Sequence, residues 1–248
     1  MALSPVNTGV LAAPLVGPVA GFLAQLAQEP LLQAAYVIGP AARGEFDPSR
    51  MQVQVLLVAD RYPQKLLDTI ASLGRAWGRK GITAPLLLTP EYLTRATDAF
   101  PVELFDLVHN HLHMGGEDLL KAVRVDDRHL RVHSERELRL LRLNLRQAYV
   151  RAAGDSGFLA DYLVETVPAV LSAMRVVTHL TGGDPAQGNT AVARFLADSR
   201  GLDVLDVLSL WELHKRGGRL SRDEAARVCA SLDDLLATLV TLVDALDD

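Results

Sequence analysis

"AAYVIGPAARGEFDPSRMQVQVLLVAD", residues 34–60, holds two short apolar runs separated by a turn. The first, 34–38 (AAYVI), and the second, 53–58 (VQVLLV), have the length and branching of β-strands. Between them Gly39-Pro40 marks a turn, and Ala42-Arg43-Gly44-Glu45 forms a polar knuckle. Outward from this pair, residues 63–77 place Leu66, Leu67, Ile70 and Leu73 at helical spacing, with Pro63 suited to the first turn. Residues 84–88 (APLLL) read as a third strand. Pro90 opens a short helix that ends before Pro101, and 102–108 (VELFDLV) read as a fourth strand. Strands alternating with helices predict a mixed sheet with flanking helices, an α/β (α+β) arrangement.

From about residue 127 the strand signals stop. The pattern predicts a long helix to Ala153 ended by Gly154, then helices over about 158–180, 189–199 and 203–216, the last closed by Gly217-Gly218. A final helix begins at Ser221, where Glu224 three residues on completes a capping box. Its apolar face comprises Ala225, Val228, Cys229, Leu232, Leu235, Leu236, Leu239 and Val243. The expected organisation is therefore a sheet-containing domain over 1–122 and a helical bundle over 123–248.

The chain has 248 residues, 49% hydrophobic and 22% charged, which fits an ordinary globular protein with a sizeable core. One cysteine, Cys229, excludes an internal disulfide and a Cys-rich metal site, and points to a reducing, cytoplasmic setting. Residues 9–28 are uncharged, but Pro14, Gly17 and Pro18 interrupt them and no basic residue precedes them. Residues 17–28 are expected to form a short buried helix rather than a membrane span. The net charge of −5 argues against indiscriminate nucleic-acid binding. Its distribution is uneven: residues 124–151 hold eight Arg against four acids, a local +4, and the rest of the chain carries −9.

Gly39, Ala42, Arg43 and Gly44, followed by the strand Val55-Leu56-Leu57-Val58, match in type and spacing a known motif. The stretch resembles the polymerase-beta-like nucleotidyltransferase superfamily, in particular its small bacterial nucleotidyltransferase-domain proteins. Residues 89–120 look like the downstream part of one such subfamily, and a following helical bundle is usual there. The resemblance covers about residues 30–150. It implies a nucleotide-binding turn at Gly39, Pro40, Arg43 and Gly44, metal positions at Gln52 and Gln54, and a third acidic position at Glu103 or Asp106. If 102–108 is a strand, only one of those two acids faces the site.

The departures fall on the chemistry. The serine of the family's Gly-Ser corresponds to Pro40, which has neither hydroxyl nor backbone N–H. The two metal-binding aspartates correspond to Gln52 and Gln54, still at alternate positions. A neutral amide does not offset the charge of Mg²⁺, which the family's in-line transfer needs. The resemblance thus implies a nucleotidyltransferase-like protein without metal-dependent transfer and with no bound cofactor, acting as a binding or regulatory module for a nucleotide, another anion or a protein. The alternative is an active enzyme that uses Mg²⁺ to transfer a nucleoside monophosphate to a small molecule or protein.

Four further patterns are weighed. Arg128, Arg131, Arg139, Arg142 and Arg146 fall on one side of the long helix, either a solvated face or a ridge for an anionic partner. His109, His111 and His113 lie on one side of the fourth strand if it continues that far, entering the Gly115-Gly116 loop; three imidazoles there would be a weak zinc site. Arg128 and His133 show the Arg-x4-His spacing of helical toxin ribonucleases, in a segment where chance readily produces it. The loop 181–190 (TGGDPAQGNT) lacks Gly-Lys-Ser/Thr and reads as a connector.

Overall fold

A computed structural model of the chain describes residues 3, 7, 9, 11–47, 51–153 and 155–247. The chain divides into two compact units, Met1–Val125 and Asp126–Asp248.

The first unit runs α1 (Ala13–Leu26), β1 (Leu32–Ile38), a 3-10 turn (Gly39–Ala41), β2 (Gln54–Ala59), α2 (Gln64–Gly78), β3 (Leu86–Leu88), α3 (Pro90–Arg95), α4 (Pro101–His109) and β4 (His111–Gly116). The sheet order is β3-β2-β1-β4, with β1 antiparallel to both neighbours and β2 parallel to β3. Alternation along β1 and β2 sends Val37, Val55 and Leu57 to one core with Phe22, Leu23, Ile70 and Trp77 of α1 and α2. Tyr36, Ile38, Leu56 and Val58 go to a second core with Leu93, Leu104 and Leu107 of α3 and α4. Burial on both faces explains why 34–38 and 55–58 are continuous apolar runs rather than alternating ones.

Two expectations are corrected. Residues 102–108 are not a strand; they lie in α4, opened by Pro101 in its first turn. The packing of Leu104 and Leu107 into one core fits the outcome, because residues three apart share a helix face but lie on opposite faces of a strand. The fourth strand is the more polar 111–116, whose register pairs Tyr36 with His113 and Ile38 with His111. Its alignment with β1 supplies the strand character that its composition lacks. The first helix also starts earlier than expected, at Ala13, so Pro14 sits in its opening turn and Pro18 lies inside it.

The second unit comprises α5 (Asp127–Ala152), α6 (Ser156–Leu180), α7 (Asn189–Arg200), α8 (Leu205–Arg216) and α9 (Arg222–Asp244). The chain is thus a mixed α+β protein, a four-stranded mixed sheet with flanking helices followed by helices. Helix α6 packs against α5, α7, α8 and α9 and buries Leu163, Val167, Val170, Leu171, Met174 and Val177. The stretch Gly157–Leu180 is long and apolar enough to span a bilayer, and 61% of its apolar window is buried inside the protein. Ser221 caps α9 through the expected box: Ser221 N–H donates to Glu224 Oε2 at 2.9 Å, and Glu224 N–H donates back to Ser221 Oγ at 3.4 Å. All eight expected apolar positions of α9 are buried. The expected stop at Gly154 lies outside the described residues; Ala153 before it ends α5 with φ of 40°.

Candidate functional site

The turn that leaves β1 is closed by its own backbone. Ala42 and Arg43 N–H both donate to Gly39 O, at 3.0 and 3.3 Å, and Glu45 N–H donates to Pro40 O at 3.0 Å. Pro40 has no N–H. Those amides are therefore engaged, unlike a turn that presents a row of free donors to a phosphate. Gly39 has φ of 70°, which favours glycine, and a Cβ there would lie 2.5 Å from Gln54 Oε1, so any side chain would also require the Gln54 amide to move. Gly44 is exposed with φ of 71°, and no atom of the described residues lies within 4 Å of where its Cβ would be.

Arg43 is the cation of the turn, and its side chain is only 12% exposed. Its Nε lies 3.4 Å from Glu45 Oε2 and its Nη1 3.5 Å from Asp106 Oδ1 of α4. Asp106 Oδ1 also accepts from the Asn110 side-chain amide at 2.8 Å, and Asn110 is itself buried. One guanidinium thus stands between two carboxylates, and the second of them comes from the helix that sequence reading had placed as a strand. Glu103 and Asp106 are neighbours three apart on α4, so the odd-spacing argument that separated them no longer applies. Glu103 is exposed, and Asp106 pairs with Arg43.

The two glutamines turn to different partners. Gln54 opens β2 opposite Ile38, with its amide oxygen against Gly39. Gln52 precedes the strand, is exposed, and donates to the carbonyl of Gly78 at the end of α2, at 3.5 Å. Among the described residues no group of three or more His, Cys, Asp or Glu is placed to hold a metal ion.

The histidines do not share one strand face. His109 belongs to α4, where its Nδ1 lies 2.9 Å from Phe105 O. His111 Nδ1 lies 2.8 Å from Leu107 O, and the rings of His111 and His113 each pack 5.3 Å from the ring of Tyr36. Tyr36 is the polar centre of this corner and went unnoticed within its apolar run. Its hydroxyl accepts from Leu119 N–H at 2.7 Å and Leu120 N–H at 3.3 Å, and lies 3.2 Å from Glu117 O as donor. Burial pushes its phenol up to about 12.

The arginines of α5 pair within the second unit. Arg128 meets Asp126 at 2.7 Å, Arg131 and Arg139 meet Glu135 at 3.3 and 2.7 Å, and Arg142 and Arg146 both meet Asp233 of α9 at 3.1 and 2.8 Å. Asp233 is held below the ordinary carboxylate range by Arg146 and, after it, Arg142. The outward side of α5 is also not purely basic, since Val132, Leu143 and Val150 are exposed there. Arg128 and His133 stand about 140° apart around the helix, so they do not converge. The 181–190 connector is organised by Arg175, a buried arginine on α6 that sequence reading did not single out. It donates to Pro185 O, to Gln187 O at 2.6 Å and to Asn189 Oδ1 at 2.6 Å.

Grooves of about 520 Å³ between α8 and α9 and about 330 Å³ between α5 and α9 open on the second unit, lined by residues such as Leu208 and Leu213 in the first and Tyr149 and Cys229 in the second. No family model matches the chain, and no curated protein matches it.

Proposed function

We propose that the first unit is a nucleotidyltransferase-like domain that does not carry out metal-dependent nucleotidyl transfer and serves as a binding or regulatory module for an anionic ligand. The observation that carries this reading is the state of Gln52 and Gln54. They stand where the resemblance implies metal carboxylates, yet both are neutral and they engage different neighbours, the Gly78 carbonyl and the Gly39 turn. A divalent ion bridging protein and phosphates needs anionic oxygens to replace part of its hydration shell, and two amides do not provide them. The nearby carboxylates of Glu45 and Asp106 face Arg43, whose positive charge opposes a metal ion at the same place. The polar side chain that remains suited to an anion is Arg43 itself, a planar donor fork that matches phosphate geometry.

The experiment is incubation of the full chain with nucleoside triphosphates labelled at the α-phosphate, with Mg²⁺ and with Mn²⁺. No label on the protein or on small acceptors is expected, and incorporation above an Arg43→Gln control overturns the proposal. The Gln52→Asp, Gln54→Asp double variant extends it: calorimetry with Mg²⁺ and a triphosphate reads whether restored carboxylates recreate a metal site.

A further inference from the structure

We infer that Asp106 and Glu45 act as an internal competitor at the turn, so that an anion binds there only by displacing a carboxylate from Arg43. The inference rests on the reading of this turn as an anion site and adds how that site is regulated. Three observations lead to it. The turn amides of Ala42, Arg43 and Glu45 are spent on Gly39 and Pro40 carbonyls, so binding strength falls on the Arg43 side chain. That side chain is already occupied from two sides, by Glu45 of its own knuckle and by Asp106 of α4. Gly44, next to Arg43, is exposed, and no atom of the described residues lies within 4 Å of where its Cβ would be, so the turn itself faces solvent.

The electrostatics fix the direction of the effect. Glu45 and Asp106 hold negative charge against the Arg43 guanidinium, so removing either charge favours an incoming phosphate. A phosphate oxygen and a carboxylate oxygen seek the same N–H donors, so binding is an exchange rather than an addition. Asp106 is anchored in turn by the Asn110 amide at 2.8 Å, which holds it at Arg43 in the resting chain. This is a latch in which ligand and Asp106 exclude one another at a single side chain.

The test is calorimetric titration of the full chain with inorganic triphosphate, free of metal and at low salt. Asp106→Asn keeps the shape and the Asn110 contact while removing the charge, and it is expected to bind about tenfold tighter than the unchanged protein, the equivalent of about 1.4 kcal/mol. Glu45→Gln is expected to shift affinity in the same direction, and it carries the test if thermal melting shows Asp106→Asn to be unfolded. Arg43→Gln is expected to lose binding, and an Arg43→Gln, Asp106→Asn double variant is expected to lose it equally. If the carboxylate variants bind no tighter while Arg43→Gln still loses binding, the latch is wrong and the anion site stands. If the double variant keeps the tighter binding, the gain does not act through Arg43 and the latch is again wrong. If none of these proteins binds triphosphate, the anion-site reading falls and the latch with it.

Discussion

Arg146 of α5 meets Asp233 of α9 fork to fork, its Nε 2.8 Å from Oδ1 and its Nη2 2.8 Å from Oδ2. Arg142, one turn earlier, adds a second pair of contacts at 3.1 Å each to the same carboxylate. Part of the concentrated basic charge of this helix is therefore spent on an ion pair at the surface of the bundle, joining α5 to α9.

That geometry sets an acid limit on stability. The carboxyl of Asp233 is held below its unfolded value of about 3.9, so its contribution is fully present above that pH and is lost as pH falls through the folded value. Arg146 is 57% exposed, which weakens the pair through solvent screening, and Asp233→Asn is expected to cost only about 1 kcal/mol at neutral pH. Urea unfolding from neutral to strongly acid pH checks this. The variant should show a smaller loss of stability on acidification than the unchanged protein, and an equal loss would remove Asp233 from the account.

Tyr36 sets the alkaline counterpart in the first unit. Tyr36→Phe leaves the N–H groups of Leu119 and Leu120 without the oxygen that accepts them, at a cost of about 2 kcal/mol. Because burial raises this phenol to about 12, its contribution is complete below the unfolded value of about 10 and is lost as pH rises towards 12. Denaturant unfolding at rising alkaline pH should show a steeper decline for the unchanged protein than for the phenylalanine variant.

Gly39 separates two penalties that usually travel together. Gly39→Ala introduces a side chain at φ of 70° and drives its Cβ onto Gln54 Oε1, and should cost about 1–3 kcal/mol. In a Gln54→Ala background only the backbone penalty remains, so the same substitution should cost measurably less. A double-mutant cycle by thermal melting reads the difference. Additive costs would show that Gln54 gives way freely.

Arg175 predicts a local effect on the α6–α7 connector. Arg175→Leu keeps the apolar stem but removes the donor to the carbonyls of Pro185 and Gln187 and to Asn189 Oδ1, for an expected loss of about 3 kcal/mol. Limited proteolysis should then cut first within 181–189. Retained resistance there, with unchanged stability, would assign the loop's order to other contacts.

Legibility in the sequence differed sharply between features. The five helices after residue 126 were readable because each carries its own signals, a three-to-four-residue apolar period and, for α9, the Ser221–Glu224 box. Strands β1 and β2 were readable from their branched apolar runs. At the candidate site, Gly39 and Arg43 could be marked in advance, because they match the type and spacing of a motif after the first strand. The partner of Arg43 could not be placed, because Asp106 had been assigned to a strand. Tyr36 and Arg175 were passed over for a related reason. A single polar residue in a run of apolar ones gives no hint of which distant backbone groups it will satisfy.

Local chemistry by itself thus specified most of the helices, the two central strands and the glycine turn that joins them. Long-range contacts settled the rest. Residues 101–109 suit either period by composition, and packing of Leu104 and Leu107, three apart, into one core makes them a helix. Residues 111–116 have little strand propensity, yet hydrogen bonding to β1 makes them the edge of the sheet. The same return of the chain carries Asp106 to Arg43, which gives the cation of the turn a carboxylate from a distant element. Propensities act over a few residues, whereas the charge felt by Arg43 depends on which surface the α4 helix is packed against.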